Sequence, residues 1–127
     1  MTFRVLHLTF DCADPGALAD FWCAALGYHR TELTNDFVAE ATPPAGGTAP
    51  KLLFIKVPEP KTAKNRMHVD FAVPDRDAVV QRMLDLGATK VGEYDEWNTQ
   101  WVTLRDLEGN EVCIARDPSA PAGPPAT

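Results

Sequence analysis

A chain of 127 residues, 45% apolar and 24% charged, has the balance of an ordinary soluble protein and suffices for one compact domain or two small modules. Its net charge of −6, with twelve scattered Lys and Arg, argues against a phosphate-binding face and so against nucleic acid as a partner. No run approaches the roughly 20 apolar residues that would cross a bilayer, which argues against a membrane partner.

The N-terminus, MTFRVLH, has neither a basic n-region nor an apolar h-region, and cysteines at 12, 23 and 113 form no CxxC pair. Both features fit a cytoplasmic protein with reduced thiols. Along the chain, a first strand through Leu6, Leu8, Phe10 and Cys12 leads to Asp14-Pro15. That pair suits a helix start, with the carboxylate as cap and the proline in the first position. Leu18, Phe21, Trp22 and Ala25 then recur at helical spacing and predict a helix with one apolar stripe, ended by Gly27. Runs over residues 28–34, 36–42 and 51–58 are rich in β-formers and predict three strands, with 42–50, carrying three prolines and two glycines, as a loop.

After the polar connection at 59–65 the same pattern returns. VLHLTFDCADPGALADFWCAALG at 5–27 and RMHVDFAVPDRDAVVQRMLDLGA at 66–88 place His7 on His68, Phe10 on Phe71 and Asp14 on Asp75, each 61 residues apart. The second copy predicts a strand carrying Met67, Val69, Phe71 and Val73, then a helix with Val79, Val80, Met83 and Leu86, ended by Gly87. Strands follow over 89–96, 99–106 and 110–116, with a tight turn through Asp106-Leu107-Glu108-Gly109-Asn110. The expected architecture is α+β: two tandem βαβββ modules, at 4–58 and 66–116, forming a cup-shaped mixed sheet with the helices outside. Residues 1–117 make one domain in this scheme, and the Pro-, Ala- and Gly-rich residues 118–127 make a disordered tail.

Alternation assigns the chemistry. If the apolar side of each strand packs under its helix, His7, Thr9 and Asp11 share the opposite face in the first module. His68 and Asp70 do so in the second, joined by Glu111, Cys113 and Ala115 of the last strand. His7 and His68 read either as pocket residues or as hydrogen-bonded strand residues. Asp11 and Asp70 read as pocket acids or as partners of Arg66, Lys56 or Arg105, and Cys113 as a pocket thiol or a small buried apolar group. Trp97 and Trp101 fall in strands, and Trp101 reads as core or as a cavity wall for a flat ligand. His68 with Asp70 has the makings of an acid–base pair.

The stretches HLTFDCADPGALADFWCAALGY, MHVDFAVPD and VTLRDLEGNEVCIA together resemble the vicinal oxygen chelate superfamily, in its glyoxalase-like subgroup. That superfamily includes glyoxalase I, extradiol dioxygenases, and bleomycin and fosfomycin resistance proteins. The resemblance implies one metal ligand on the first and one on the last strand of each module. His7, His68 and Cys113 occupy three of those places, whereas the fourth falls within the apolar Leu52–Ile55. Zinc would accept two imidazoles and a thiolate, but Mg, Mn or Fe(II) would want a carboxylate where Cys113 stands.

The resemblance therefore implies a small-molecule-binding protein with a pocket in the sheet cup, lined by His7, Asp11, His68, Asp70, Trp101 and Cys113, without a complete metal site. The alternative is an enzyme: a zinc-type or metal-free lyase or isomerase with His68 and Asp70 as catalytic residues, or a dioxygenase-like one. Pairing of two chains into a homodimer is also implied.

Overall fold

The structure, a computed structural model, describes residues 2–97 and 99–117; the expected tail at 118–127 lies outside them. It divides into two compact units, 1–62 and 63–127. The first holds β1 (His7–Cys12), α1 (Pro15–Leu26), β2 (His29–Thr34), β3 (Val38–Thr42) and β4 (Lys51–Lys56). The second holds β5 (Val69–Val73), α2 (Arg76–Asp85), β6 (Thr89–Glu96), β7 (Thr99–Arg105) and β8 (Glu111–Arg116).

Each unit is a four-stranded mixed sheet carrying one helix. The strand order is β1-β4-β3-β2 in the first and β5-β8-β7-β6 in the second, the same order twice. In each, the first and last strands pair in parallel and the others antiparallel. The duplication read from the sequence is thus a duplication of topology, and the chain is two tandem βαβββ modules of an α+β fold.

The helix signals work as their chemistry requires. Asp14 Oδ1 accepts a hydrogen bond from the Ala17 amide at 3.1 Å, with Pro15 as the first helical residue. At the far end Gly27 sits at φ 74° and donates its amide to the Cys23 carbonyl. A residue with a Cβ would adopt that backbone only at a cost. Leu18, Phe21, Trp22 and Ala25 are all buried against β3 and β4. Phe10 stacks on both Trp22 and Phe54, at 5.7 and 5.4 Å between ring centroids. Burying side chains of this size stabilises the unit by about 1.5–3 kcal/mol each.

In the second unit Asp75 caps Ala78 in the same way, at 3.1 Å. Val80 and Met83 of α2 are buried with Val102, Leu104, Val112 and Ile114 of the sheet, whereas Val79 and Leu86 are only half-buried. The turn before β8 is held by Asp106, 5% exposed. Its Oδ1 accepts from the amides of Glu108 and Asn110.

Several expectations need correction. Leu6 and Met67 precede their strands and are exposed rather than packed under a helix. Trp97 lies in the turn between β6 and β7, at φ 51°, instead of in a strand. Glu111, assigned to the open face of the last strand, is buried. Its carboxylate accepts from the Asn65 amide at 2.9 Å, and Asn65 Nδ2 donates to the Glu111 carbonyl. That clasp ties the connecting segment to β8. The loop at 43–50 is tethered by the Tyr28 hydroxyl, which donates to the Pro50 carbonyl at 3.0 Å.

Candidate functional site

The second unit concentrates polar groups on the sheet face away from α2. Pairing in register puts Asp70 beside Cys113, and Cys113 beside Thr103. Because side chains alternate, residues paired across strands share a face. His68 Nδ1 lies 2.8 Å from Asp70 Oδ1 and 3.9 Å from Cys113 Sγ. Thr103 Oγ1 lies 3.3 Å from the same sulfur. The partner Asp70 takes is therefore His68, and His68, Asp70 and Cys113 come together as the pattern of alternation required. Burial pushes the Cys113 thiol up, while the Thr103 contact pulls the other way and the Asp70 charge adds to the rise. The sulfur is therefore a thiol, not a thiolate, at neutral pH.

An aromatic shelf adjoins this row. Tyr94 pairs with Trp101, and Trp101 with Ala115, one row further along the same face. Tyr94 and Trp101 stack at 5.5 Å and 22°, and Trp97 stacks on Trp101 at 6.0 Å and 6°. A Cβ at Gly92 would meet the Tyr94 hydroxyl oxygen at 2.9 Å, so the phenol lies over Gly92 and depends on its bare backbone. Gly92 pairs with Thr103 and extends the polar row. Trp97 is 83% exposed. Sequence reasoning found Trp101 but missed Tyr94, whose signal was the alternation Gly92, Tyr94 on a strand facing Trp101 and Thr103.

In the first unit His7 stands on β1 and Asp11 is exposed on the same strand, beside Ile55. His7 Nε2 lies 2.6 Å from Glu40 Oε2, reaching across β4 to β3. Thr31 of β2 donates its hydroxyl to Glu40 Oε1 at 2.9 Å. The His7 hydrogen bond holds the Glu40 carboxyl below the usual carboxylate range, with burial opposing it. Glu40 went unnoticed in the sequence. Its signal was a lone charge in an otherwise uncharged strand, VAEAT, alternating with the buried Ala39 and Ala41.

The metal set suggested by resemblance can be compared with these donors. Among the described residues, the group of three or more ligand-bearing side chains is His68, Asp70 and Cys113, with donor atoms within 4.8 Å of one another. Nitrogen, carboxylate oxygen and sulfur suit zinc, provided Cys113 gives up its proton. Asp70 supplies the carboxylate that the earlier set lacked. In the first unit the last-strand position in register with Thr9 is Leu53, which offers no donor.

No helix among the described residues is long and apolar enough to cross a membrane. A family model described as a glyoxalase-like domain matches residues 7–115. No curated protein matches the sequence significantly. Among solved structures, a glyoxalase/bleomycin resistance protein/dioxygenase family enzyme from Burkholderia phytofirmans PsJN is similar with TM-score 0.73 at 16% identity, covering 87% of this chain and 95% of that one. The fosfomycin resistance protein from Mesorhizobium loti gives 0.72 at 12%, covering 94% and 96%. A glyoxalase-related enzyme from Fulvimarina pelagi gives 0.72 at 16%, covering 96% and 94%. At these identities the likeness is one of fold. With the family model spanning nearly all of both modules, the chain belongs to the glyoxalase-like domain family of the vicinal oxygen chelate superfamily.

Proposed function

We propose that the chain is a small-molecule-binding protein whose ligand, flat and with a polar end, lies on the helix-free face of the second unit. The observation that carries this reading is the continuity of the Tyr94–Trp101–Trp97 stack with the row Asp70, Cys113, Thr103 and its neighbour His68. Aromatic contact contributes about 0.5–1.5 kcal/mol beyond area burial, and the polar row fixes orientation. A fosfomycin resistance protein among the structural neighbours supports a small-molecule ligand. Sequestration of a toxic compound, as by bleomycin resistance proteins, fits the same site. The thiols of Cys12, Cys23 and Cys113, which form no disulfide, suit the reducing cytoplasm. We read residues 1–117 as one domain acting as a homodimer.

The test is a thermal-shift titration with planar compounds: acriflavine, ethidium, riboflavin and 2,3-dihydroxybenzoate. At least one raises Tm at saturation, and Trp101→Ala weakens its binding about ten-fold. No shift from any of the four at millimolar concentration, or binding undiminished in Trp101→Ala, contradicts the reading.

The three-donor group favours a second reading, an enzyme of lyase or isomerase type holding zinc on His68, Asp70 and Cys113. Bound zinc would polarise a substrate oxygen and lower the pKa of a bound water; without it, His68 and Asp70 remain as an acid–base pair. Because Cys113 must lose a proton to ligate, zinc affinity measured by competition with a chromophoric chelator rises between pH 6 and 8. Cys113→Ser abolishes that binding. About one zinc per chain, lost in this variant, selects the second reading, and no zinc uptake removes its metal-dependent form.

A further inference from the structure

We infer, on the planar-ligand reading above, that Tyr94 selects the ligand of the second unit: folded over Gly92, its hydroxyl donates a hydrogen bond to a neutral carbonyl oxygen on the ligand's edge. The sign of this is a glycine where the strand gains nothing from one. Gly92 lies inside β6, and positive φ among the described glycines falls at Gly27, Gly46, Gly87 and Gly109 instead. No backbone conformation therefore calls for glycine at 92. A glycine inside a strand weakens it and marks a bulge or a close approach.

Both hold here. The register shifts between Lys90 and Gly92, which re-aims the strand at this point. The space a side chain would take is filled by the Tyr94 ring. A Cβ on Gly92 would come within 2.9 Å of the phenol oxygen, 3.1 Å of Cζ and 3.3 Å of Cε2. Gly92 is in register with Thr103, and Tyr94 with Trp101. The ring thus keeps its stack on Trp101, 5.5 Å between centroids, while its hydroxyl reaches back to the row of Thr103, Cys113 and Asp70.

The other polar groups of that row are engaged. Thr103 Oγ1 lies 3.3 Å from Cys113 Sγ, and Asp70 Oδ1 lies 2.8 Å from His68 Nδ1. Among the described residues the Tyr94 hydroxyl has no hydrogen-bond partner, and Tyr94 is 40% exposed. A phenol donates more strongly than it accepts, because its lone pairs are drawn into the ring, so it selects an acceptor. That acceptor is a carbonyl and not a carboxylate. Asp70 stands at one end of the row, and Glu96 follows Tyr94 by two residues on the same strand face. Both repel an anion. Of the nearby cations, Arg105 has Glu111 in register beside it, and Lys64 is felt at Cys113, whose neighbour Asp70 offsets it.

The probes are coumarin, a planar bicycle with a carbonyl at its edge, and naphthalene, which has the same outline and no oxygen. Dissociation constants are measured by equilibrium dialysis on the full chain. Tyr94→Phe keeps the ring and its stack, weakens coumarin about five-fold, the worth of one hydrogen bond, and moves naphthalene less than about two-fold. A merely structural tyrosine would move both ligands together. Gly92→Ala, whose Cβ drives the phenol away, has the same selective effect, and the double variant binds coumarin no worse than either single one. Coumarin-3-carboxylate binds the wild type no tighter than coumarin. No coumarin binding, coumarin binding unchanged in Tyr94→Phe or Gly92→Ala, equal losses for both ligands, or a tighter carboxylate overturns the inference. Where Trp101→Ala still weakens a compound of the earlier panel, that failure leaves the planar-ligand reading standing. When that panel also fails to bind, both fall.

Discussion

Glu40 shows what a single residue contributes and why it was hard to see. It lies on the third strand, and its partner His7 is 33 positions away, two strands across the sheet. Nothing in a linear pattern reports a contact that passes over an intervening strand. His68, Asp70 and Cys113 were legible because parallel pairing of the first and last strands brings them together, and alternation alone put them on one face. The Glu40 carboxyl titrates below its ordinary value of 4.5. A group whose folded pKa is depressed stabilises fully above its unfolded pKa, and that contribution is lost as pH falls through the folded value. Melting curves from pH 6 to pH 3 therefore show the wild-type advantage over Glu40→Gln constant in the upper part and shrinking below about pH 4.5. A constant difference down to pH 3 contradicts the assignment. Asp106 is a structural counterpart. Removing its carboxylate leaves the Glu108 and Asn110 amides without their acceptor in a part-buried turn, so Asp106→Ala costs about 1–3 kcal/mol in denaturant unfolding.

At the scale of elements, local chemistry set the helices closely. Asp14, Pro15 and Gly27 bound α1 where the caps and the apolar stripe indicated. Strand ends were less legible. Leu6 and Met67 continue the apolar alternation of their strands, but pairing begins only at His7 and Val69, because an apolar pattern does not say where a partner strand starts. Glu111 also looked like an open-face residue, since its clasp with Asn65 depends on the course of the connection. Gly27 and Gly87 make a graded test of the helix ends. Both have positive φ, but a Cβ on Gly27 meets nothing within 4 Å, whereas one on Gly87 comes within 2.7 Å of Leu107 Cδ2. Gly27→Ala should therefore cost about 1 kcal/mol from backbone strain alone, and Gly87→Ala more, since Leu107 must also shift. Equal losses in urea unfolding would contradict the packing described for Gly87.

Over the whole molecule, duplication explains the architecture and divergence explains the chemistry. The two units share strand order and register, so Leu53 of the first stands where Cys113 stands in the second, and Glu40 where Thr103 stands. One face pattern thus carries two chemistries: a thiol, imidazole and carboxylate beside stacked aromatics in one unit, and the His7–Glu40 pair with Lys51 in register with His7 in the other. The repeat made the fold readable, because three landmarks in register imply the same unit twice. The aromatic shelf was readable only in part, since stacking of Tyr94 and Trp97 on Trp101 depends on hairpin register and on the turn at Trp97. The most direct test of the binding account is an amide NMR titration with the tightest-binding planar compound of the panel. The account expects the largest shifts at Tyr94, Trp101, Thr103, Cys113 and Asp70. Shifts concentrated on residues of the first unit, or spread without a centre, would contradict it.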